Sequence, residues 1–273
     1  MIPLEDNLGD ILGKAQRGLG LSDTQLAEKA RVNSQTLRKL REGEFDELTV
    51  LRIAPVLGLA GRALCDMATG KWQPKQIKDI DGLAQFTTRY HDVTVNSYLA
   101  WDPGTKEAVA FDTGADCTAM LKRATKENLS IKLILLTHAH VDHIAALAEL
   151  KEKTGAPAFI PEREKIPEAE PIDEGKHFSL GKIDIDTRLT WGHSRGGMTY
   201  VLTGLERKIA VVGDSIFAGS MGGGSVSYRD AVKNNLEKIL TLPDETIICP
   251  GHGPMTTVGE EKRHNPFFAG QTE

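Results

Sequence analysis

The feature that most constrains this chain is an apolar run that ends in a cluster of metal-binding side chains. Residues 131–137 form a continuous run of strand length, and His138-Ala139-His140-Val141-Asp142-His143 follows without a break. His138 and His140 alternate by two, so an extended loop can point both imidazoles the same way. Asp142 and His143 then open a helix and can aim elsewhere, toward a second ion. Imidazole and carboxylate are ligands that zinc, iron and manganese accept. The plain alternative, a polar loop with surface histidines, offers no packing reason for such density at the end of a buried strand.

Around this run the chain alternates between strand and helix. Residues 96–101 and 108–111 read as strands separated by the turn Asp102-Pro103-Gly104. Residues 119–127 are helical, and Ile144, Leu147, Ala148 and Leu150 mark one face of a helix over 143–153. Further strands are expected at 183–187, 198–203, 209–212 and 246–249, with a helix over 228–240 before the last. Such alternation implies a layered α/β domain.

The first seventy residues have a different texture. Leu8, Ile11, Leu12 and Ala15 recur at helical spacing, and Ser22 with Gln25 forms a capping box for a second helix. A third helix runs over 34–41, stopped by Gly43, and two more cover 48–57 and 62–67. The polar stretch 71–81, with Pro74, reads as a linker. The expected organisation is therefore a helical unit over 1–70, a linker over 71–81 and an α/β unit over 82–273.

Composition narrows the setting. With 40% hydrophobic and 26% charged residues, large-scale disorder is not expected. No apolar run approaches the ~20 residues that span a bilayer, so no membrane partner is expected. The start carries no apolar signal-peptide core. Cys65, Cys117 and Cys249 are far apart and read as small buried apolar residues, which points to the reducing cytoplasm. A net charge of −5 gives no global attraction to nucleic acid.

The His138-x-His140-x-Asp142-His143 run resembles the signature of the metallo-β-lactamase fold superfamily. The other motifs of that family follow in order. Gly192-His193-Ser194 resembles its third-histidine turn, Gly213-Asp214-Ser215-Ile216-Phe217 its bridging-aspartate turn, and Pro250-Gly251-His252-Gly253-Pro254 its terminal histidine motif. The resemblance implies an αββα sandwich, here preceded by a small all-α domain, with the metals at one edge between the sheets. It assigns His138, His140 and His193 to a first metal and Asp142, His143 and His252 to a second, with Asp214 bridging. Two divalent ions are implied, zinc in first place and iron or manganese as alternatives. A bridging hydroxide would be the nucleophile, which makes Asp142 and Asp214 the catalytic carboxylates. No Gly-x-Ser-x-Gly elbow offers a protein nucleophile. His91, His177 and His264 match no ligand motif and read as surface or turn histidines.

The ending, from Pro243 to Phe267, resembles the glyoxalase II-like branch, which hydrolyses thioesters. Where glyoxalase II places a lysine and a tyrosine for glutathione, and the related dioxygenases an Arg-Thr-Asp-Phe run, this chain has Ala218-Gly219-Ser220-Met221-Gly222-Gly223-Gly224-Ser225. Those glycines are either a backbone amide nest for an anion or a flexible loop. Arg195 would greet an anionic substrate or be solvated.

Residues 21–43 resemble the Cro/repressor (XRE) helix-turn-helix, in which the second helix enters the major groove. Gln35, Thr36, Arg38 and Lys39 would then face DNA, bound by a homodimer. Yet residues 1–70 hold nine Lys and Arg against ten Asp and Glu, not the basic footprint of a DNA reader. A dimerisation or docking role competes. Three functions follow. The leading one is a metal-dependent hydrolase of a small ester or thioester, acting through a metal-bound hydroxide. The others are a metabolite-sensing transcriptional regulator and a persulfide dioxygenase with mononuclear iron.

Overall fold

None of the N-terminal helices is long enough to stand alone. A computed structural model describes residues 2–271, so the outermost ends of the expected units, Met1 and residues 272–273, lie outside the described residues. It opens with α1 (Leu8–Gly18), α2 (Asp23–Ala30), α3 (Ser34–Arg41), α4 (Glu47–Ile53) and α5 (Gly61–Ala68). The longest has 11 residues, below the roughly 12–15 at which an isolated helix becomes even marginal in water. Local signals start them: Ser22 and Gln25 form the reciprocal capping box expected for α2, and Asn33 caps α3. Tertiary burial must supply the rest.

It comes from the second of two six-stranded sheets. The first sheet runs β1 (Leu83–Tyr90), β2 (Val93–Trp101), β3 (Glu107–Phe111), β4 (Ser130–Leu135), β5 (Ala158–Pro161) and β6 (Glu170–Ile172) in sequence order. Between them lie α6 (Thr118–Glu127), α7 (Val141–Ile144) and α8 (Leu147–Thr154). The second sheet comprises β7 (His177–Leu180), β8 (Ile183–Leu189), β9 (Met198–Thr203), β10 (Ile209–Gly213), β11 (Ile247–Pro250) and β12 (Thr256–Thr257). Helices α9 (Tyr228–Asn234), continued by a π-helical turn, and α10 (Val258–His264) complete the chain.

The two sheets enclose one core, where Tyr98, Phe111 and Leu135 meet Ile185, Tyr200, Val211 and Ile247. Helices α6 and α8 cover the outer face of the first sheet through Met120, Leu147 and Leu150. On the outer face of the second, Val201, Ala210, Val212 and Ile248 share a single apolar cluster with Ile11, Leu12, Leu26, Leu37 and Leu64. The mixed α/β sandwich agrees with the expected fold class.

Several local expectations need correction. The helix expected over 143–153 is two, broken at Ala145-Ala146, because Ala146 N donates to Gly114 O and Thr113 Oγ1 rather than along the helix. Strands β1, β5, β6, β7 and β12 have no counterpart in the sequence reading; all but β5 are sheet edges, and all but β1 are four residues or fewer. The stretch 71–81 is irregular, but it buries Trp72 and Ile80. Trp72 Nε1 donates to Glu260 Oε2 at 3.0 Å. The three cysteines are free and buried. No helix among the described residues is long and apolar enough to cross a membrane.

Candidate metal centre

Strand direction brings the polar residues to one edge. β3 and β4 are parallel neighbours in the first sheet, and β10 and β11 in the second. Each ends in a polar motif at the same end: Asp112 after β3, the histidine run after β4, Asp214 after β10 and His252 after β11. His193 arrives on the loop between β8 and β9. The edge is laced across the sheets: Tyr200 Oη donates to Leu136 O and Tyr98 Oη to Pro250 O, both at 2.7 Å.

The seven expected ligands converge in two groups. His138, His140, His193 and Asp214 form one; Asp142, His143 and His252 form the other. Asp214 touches both, its Oδ2 lying 3.3 Å from His193 Nε2 and from His252 Nε2, and its Oδ1 3.3 Å from His143 Nε2. Asp142 Oδ2 lies 3.5 Å from His252 Nε2. Gln35, Thr36, Arg38 and Lys39 are on α3 and are not part of either group, and His91 and His177 also stand outside.

The far side of four of the five rings is tied down. His143 Nδ1 meets Asp112 Oδ2 at 2.8 Å, His138 Nδ1 meets Thr137 Oγ1 at 3.0 Å, His193 Nδ1 meets Gly223 O at 2.9 Å and His252 Nδ1 meets Thr94 O at 2.5 Å. Such contacts fix the tautomer and aim the other nitrogen inward. His193 Nε2 meets His140 Nδ1 at 3.1 Å, but three other inward atoms lack partners. His138 Nε2, His143 Nε2 and Asp214 Oδ1 are fully buried with no hydrogen bond, the last two being close but misaligned. A buried polar atom without a partner costs about 1–3 kcal/mol. Five imidazoles and two carboxylates, with buried atoms of His138, His143 and Asp214 that no protein group satisfies, are the donor set a divalent cation satisfies.

The protein groups alone already show the strain. Burial pushes His138 well below the ordinary imidazole range, and the neighbouring charge on His143 adds to it. Burial also opposes charge on His143, but Asp214 and Asp112 outweigh it and raise that group. His252 rises to about 9, Asp214 overcoming its desolvation. Asp214 itself is held well below the carboxylate range, since His252 and His143 outweigh its burial.

Two supporting residues escaped the sequence reading. Asp112 accepts from Thr137 N at 2.7 Å and Thr137 Oγ1 at 2.8 Å as well as meeting His143. It adopts a left-handed φ of 53°, a conformation Asp tolerates better than most residues. Its only signal was a carboxylate directly following an apolar strand. Glu164 accepts from Gly196 N at 2.7 Å and Ala139 N at 3.4 Å, spanning the two ligand loops, and nothing in the sequence singled it out. The glycine run is not a loose loop. A Cβ on Gly222 would lie 1.9 Å from Asp214 O, and Gly223 supplies the acceptor for His193. Gly251 is constrained alike, since a Cβ would meet Asp214 Oδ1 at 2.2 Å. Arg195 is exposed.

Comparison with known proteins agrees with this geometry. Residues 92–252 match the metallo-beta-lactamase superfamily. The chain is 30% identical over 198 residues to the hydroxyacylglutathione hydrolase GloC of Haemophilus influenzae, an alignment covering 63% of this chain and 92% of that one. Among solved structures it resembles the B3 metallo-beta-lactamase BLEG-1, with 29% identity, a TM-score of 0.59 and coverage of 68% and 100%. It also resembles TTHA1623 in a di-iron-bound form, with 28% identity, a TM-score of 0.56 and coverage of 67% and 100%.

Proposed function

The chain belongs to the metallo-beta-lactamase superfamily, and from that premise we propose that it is a metal-dependent hydrolase of a thioester or other ester-like bond. The observation that carries this reading is Asp214, within 3.3 Å of histidines from both ligand groups, amid inward atoms that have no partner in the protein. His138, His140 and His193 would hold one cation and Asp142, His143 and His252 the other, with Asp214 shared; zinc is the first candidate. Bound there, divalent cations supply Lewis acidity and lower the pKa of water toward neutrality.

The chain's own residues set the stage for that chemistry. Asp112 and Thr137 hold His143 and His138 in place, and Glu164 keeps the His140 and His193 loops in register. Among the described residues no serine or cysteine is hydrogen-bonded to any of these histidines, and the one hydroxyl that is, Thr137 Oγ1, is buried and donates to Asp112. Exposed apolar side chains adjoin the ligand loops and would suit an acyl group. Val141, next to His140, is 57% exposed, and Val226, whose N donates to Gly192 O beside His193, is 47% exposed. The similarity to a hydroxyacylglutathione hydrolase supports a thioester.

The test begins with metal content. Mass spectrometry of metal-replete protein should saturate at two ions, and a panel of hydroxyacylglutathione, a short acyl thioester, a lactone and a phosphodiester should show thioester cleavage that chelation abolishes. Saturation at one ion, or turnover of the phosphodiester alone, overturns the reading.

A further inference from the structure

The loop from Phe217 to Gly224 lies between the metal ligands and the first helix, and one buried ammonium group holds it there. Lys14, on α1, donates to Met221 O at 2.9 Å. It also pairs with Asp6, which accepts from Ser220 Oγ on the same loop. The lysine and aspartate side chains are only 14% and 8% exposed. The ammonium also lies 5.0 Å from the Phe217 ring centroid, and that ring stands edge-on to His252 at 5.6 Å. Immediately beyond Met221, Gly222 presses on the Asp214 carbonyl and Gly223 accepts from His193.

We propose that Lys14, with Asp6, is a positioning residue for the group His138, His140, His193 and Asp214, acting from the N-terminal helices through this loop. An ammonium carries three donors, and Met221 O and Asp6 each take one. Removing it leaves Asp6 as an uncompensated buried charge, and the loop must move to rehydrate it. The nearest consequences fall on the backbone of Asp214 and the acceptor of His193, one and two residues along. In the second group, His143 and Asp142 are held from the other sheet, by Asp112 and α7, and lie outside this path; His252 meets it only through the edge of the Phe217 ring.

The inference rests on the metal reading, so the experiment separates the two failures. Zinc affinity of the full chain is measured by chelator competition for Lys14→Met and Lys14→Arg. Each is made in an Asp142→Ala background, which keeps the first group whole, and in a His140→Ala background, which keeps the second. Arg41→Ala, whose partners Asp23 and Gln16 lie within the helical layer, serves as the control for general loosening, with thermal unfolding followed throughout. Lys14→Met should weaken zinc binding by about tenfold or more in the Asp142→Ala background, the scale of a lost supporting contact. The loss should be several-fold smaller in the His140→Ala background, where only His252 and the shared Asp214 are within reach, and Lys14→Arg should recover most of the loss. Unchanged affinity, equal loss in both backgrounds, or an equal loss from Arg41→Ala overturns the positioning role while leaving the metal centre standing. A wild type that binds no zinc overturns both.

Discussion

The edge that carries the histidines and the face that carries the helices are both buried, but by opposite means. At the helical face, short helices meet the second sheet through Ile11, Leu12, Val212 and Ile248 in a single apolar cluster. Removing such surface from water is favourable by roughly 25 cal/mol per Å². At the metal edge, His138, His143 and Asp214 leave water with polar atoms unpartnered, an unfavourable arrangement that folding alone gives no reason to keep. The difference teaches which region is built for stability and which for a ligand.

The sharpest way to break this contrast is to remove Asp214. Asp214→Ala should lower thioester turnover by about a thousandfold or more, equivalent to about 4 kcal/mol, while circular dichroism stays native. Asp142→Ala should keep one cation per chain, held by the first group. Undiminished turnover by a folded, metal-poor Asp214→Ala protein would remove the edge from the chemistry altogether.

A large effect on stability is expected at the other face. Trp72 is buried in the cluster that helices and sheet share, and its indole is bonded to Glu260. Trp72→Ala should cost about 3–5 kcal/mol in denaturant unfolding, seen as one earlier cooperative transition. Two separate transitions would show that the helical layer folds on its own terms, and the contrast would have to be redrawn between independent units.

Glu261, on α10, joins the two regions and gives a pH signature. Desolvation pushes its carboxyl up to about 7, even though Thr256, Asn265 and Gly219 donate to it. A raised carboxyl favours the folded state while it is protonated. Its contribution is therefore full below the ordinary value of 4.5 and is lost as pH climbs through about 7. Melting temperatures from pH 4 to 8 should fall more steeply for wild type than for Glu261→Gln over that window. Parallel curves would show that the group does not titrate there.

The smallest effect is expected on α3. Arg38 is exposed, and Lys39, also exposed, pairs with Glu44 at 2.8 Å. Arg38→Ala and Lys39→Ala should leave hydrolysis unchanged and stability within about 0.5 kcal/mol. A gel shift with duplex DNA at low salt should show no complex. A complex whose affinity falls steeply with salt, and falls again in these variants, would make α3 a nucleic-acid reader.

What could be read without the fold was whatever is settled within a few residues. The capping box of Ser22 and Gln25 closes over three positions, and the alternation of His138 and His140 follows from the period of extended backbone. The His193, Asp214 and His252 motifs were legible only through their resemblance to a known family, since each is a short turn that says little by itself. The partners that steady them were not, because Asp112 lies 31 residues from His143 and Glu164 lies 32 from Gly196, and no local rule connects them. The break at Ala145-Ala146 was hidden likewise, since the competing acceptors Gly114 and Thr113 come from another strand end.

The amino-acid sequence by itself determined the layered α/β character and the helical character of the first seventy residues, because each depends on spacing along the backbone, and it carried the motifs whose resemblance to a known family picked out the candidate ligands. Only the tertiary structure decided that those helices lie on the second sheet, with Lys14 gripping the loop behind His193. That arrangement depends on which apolar faces meet across more than two hundred residues, and on a buried charge finding its partners only once they have met.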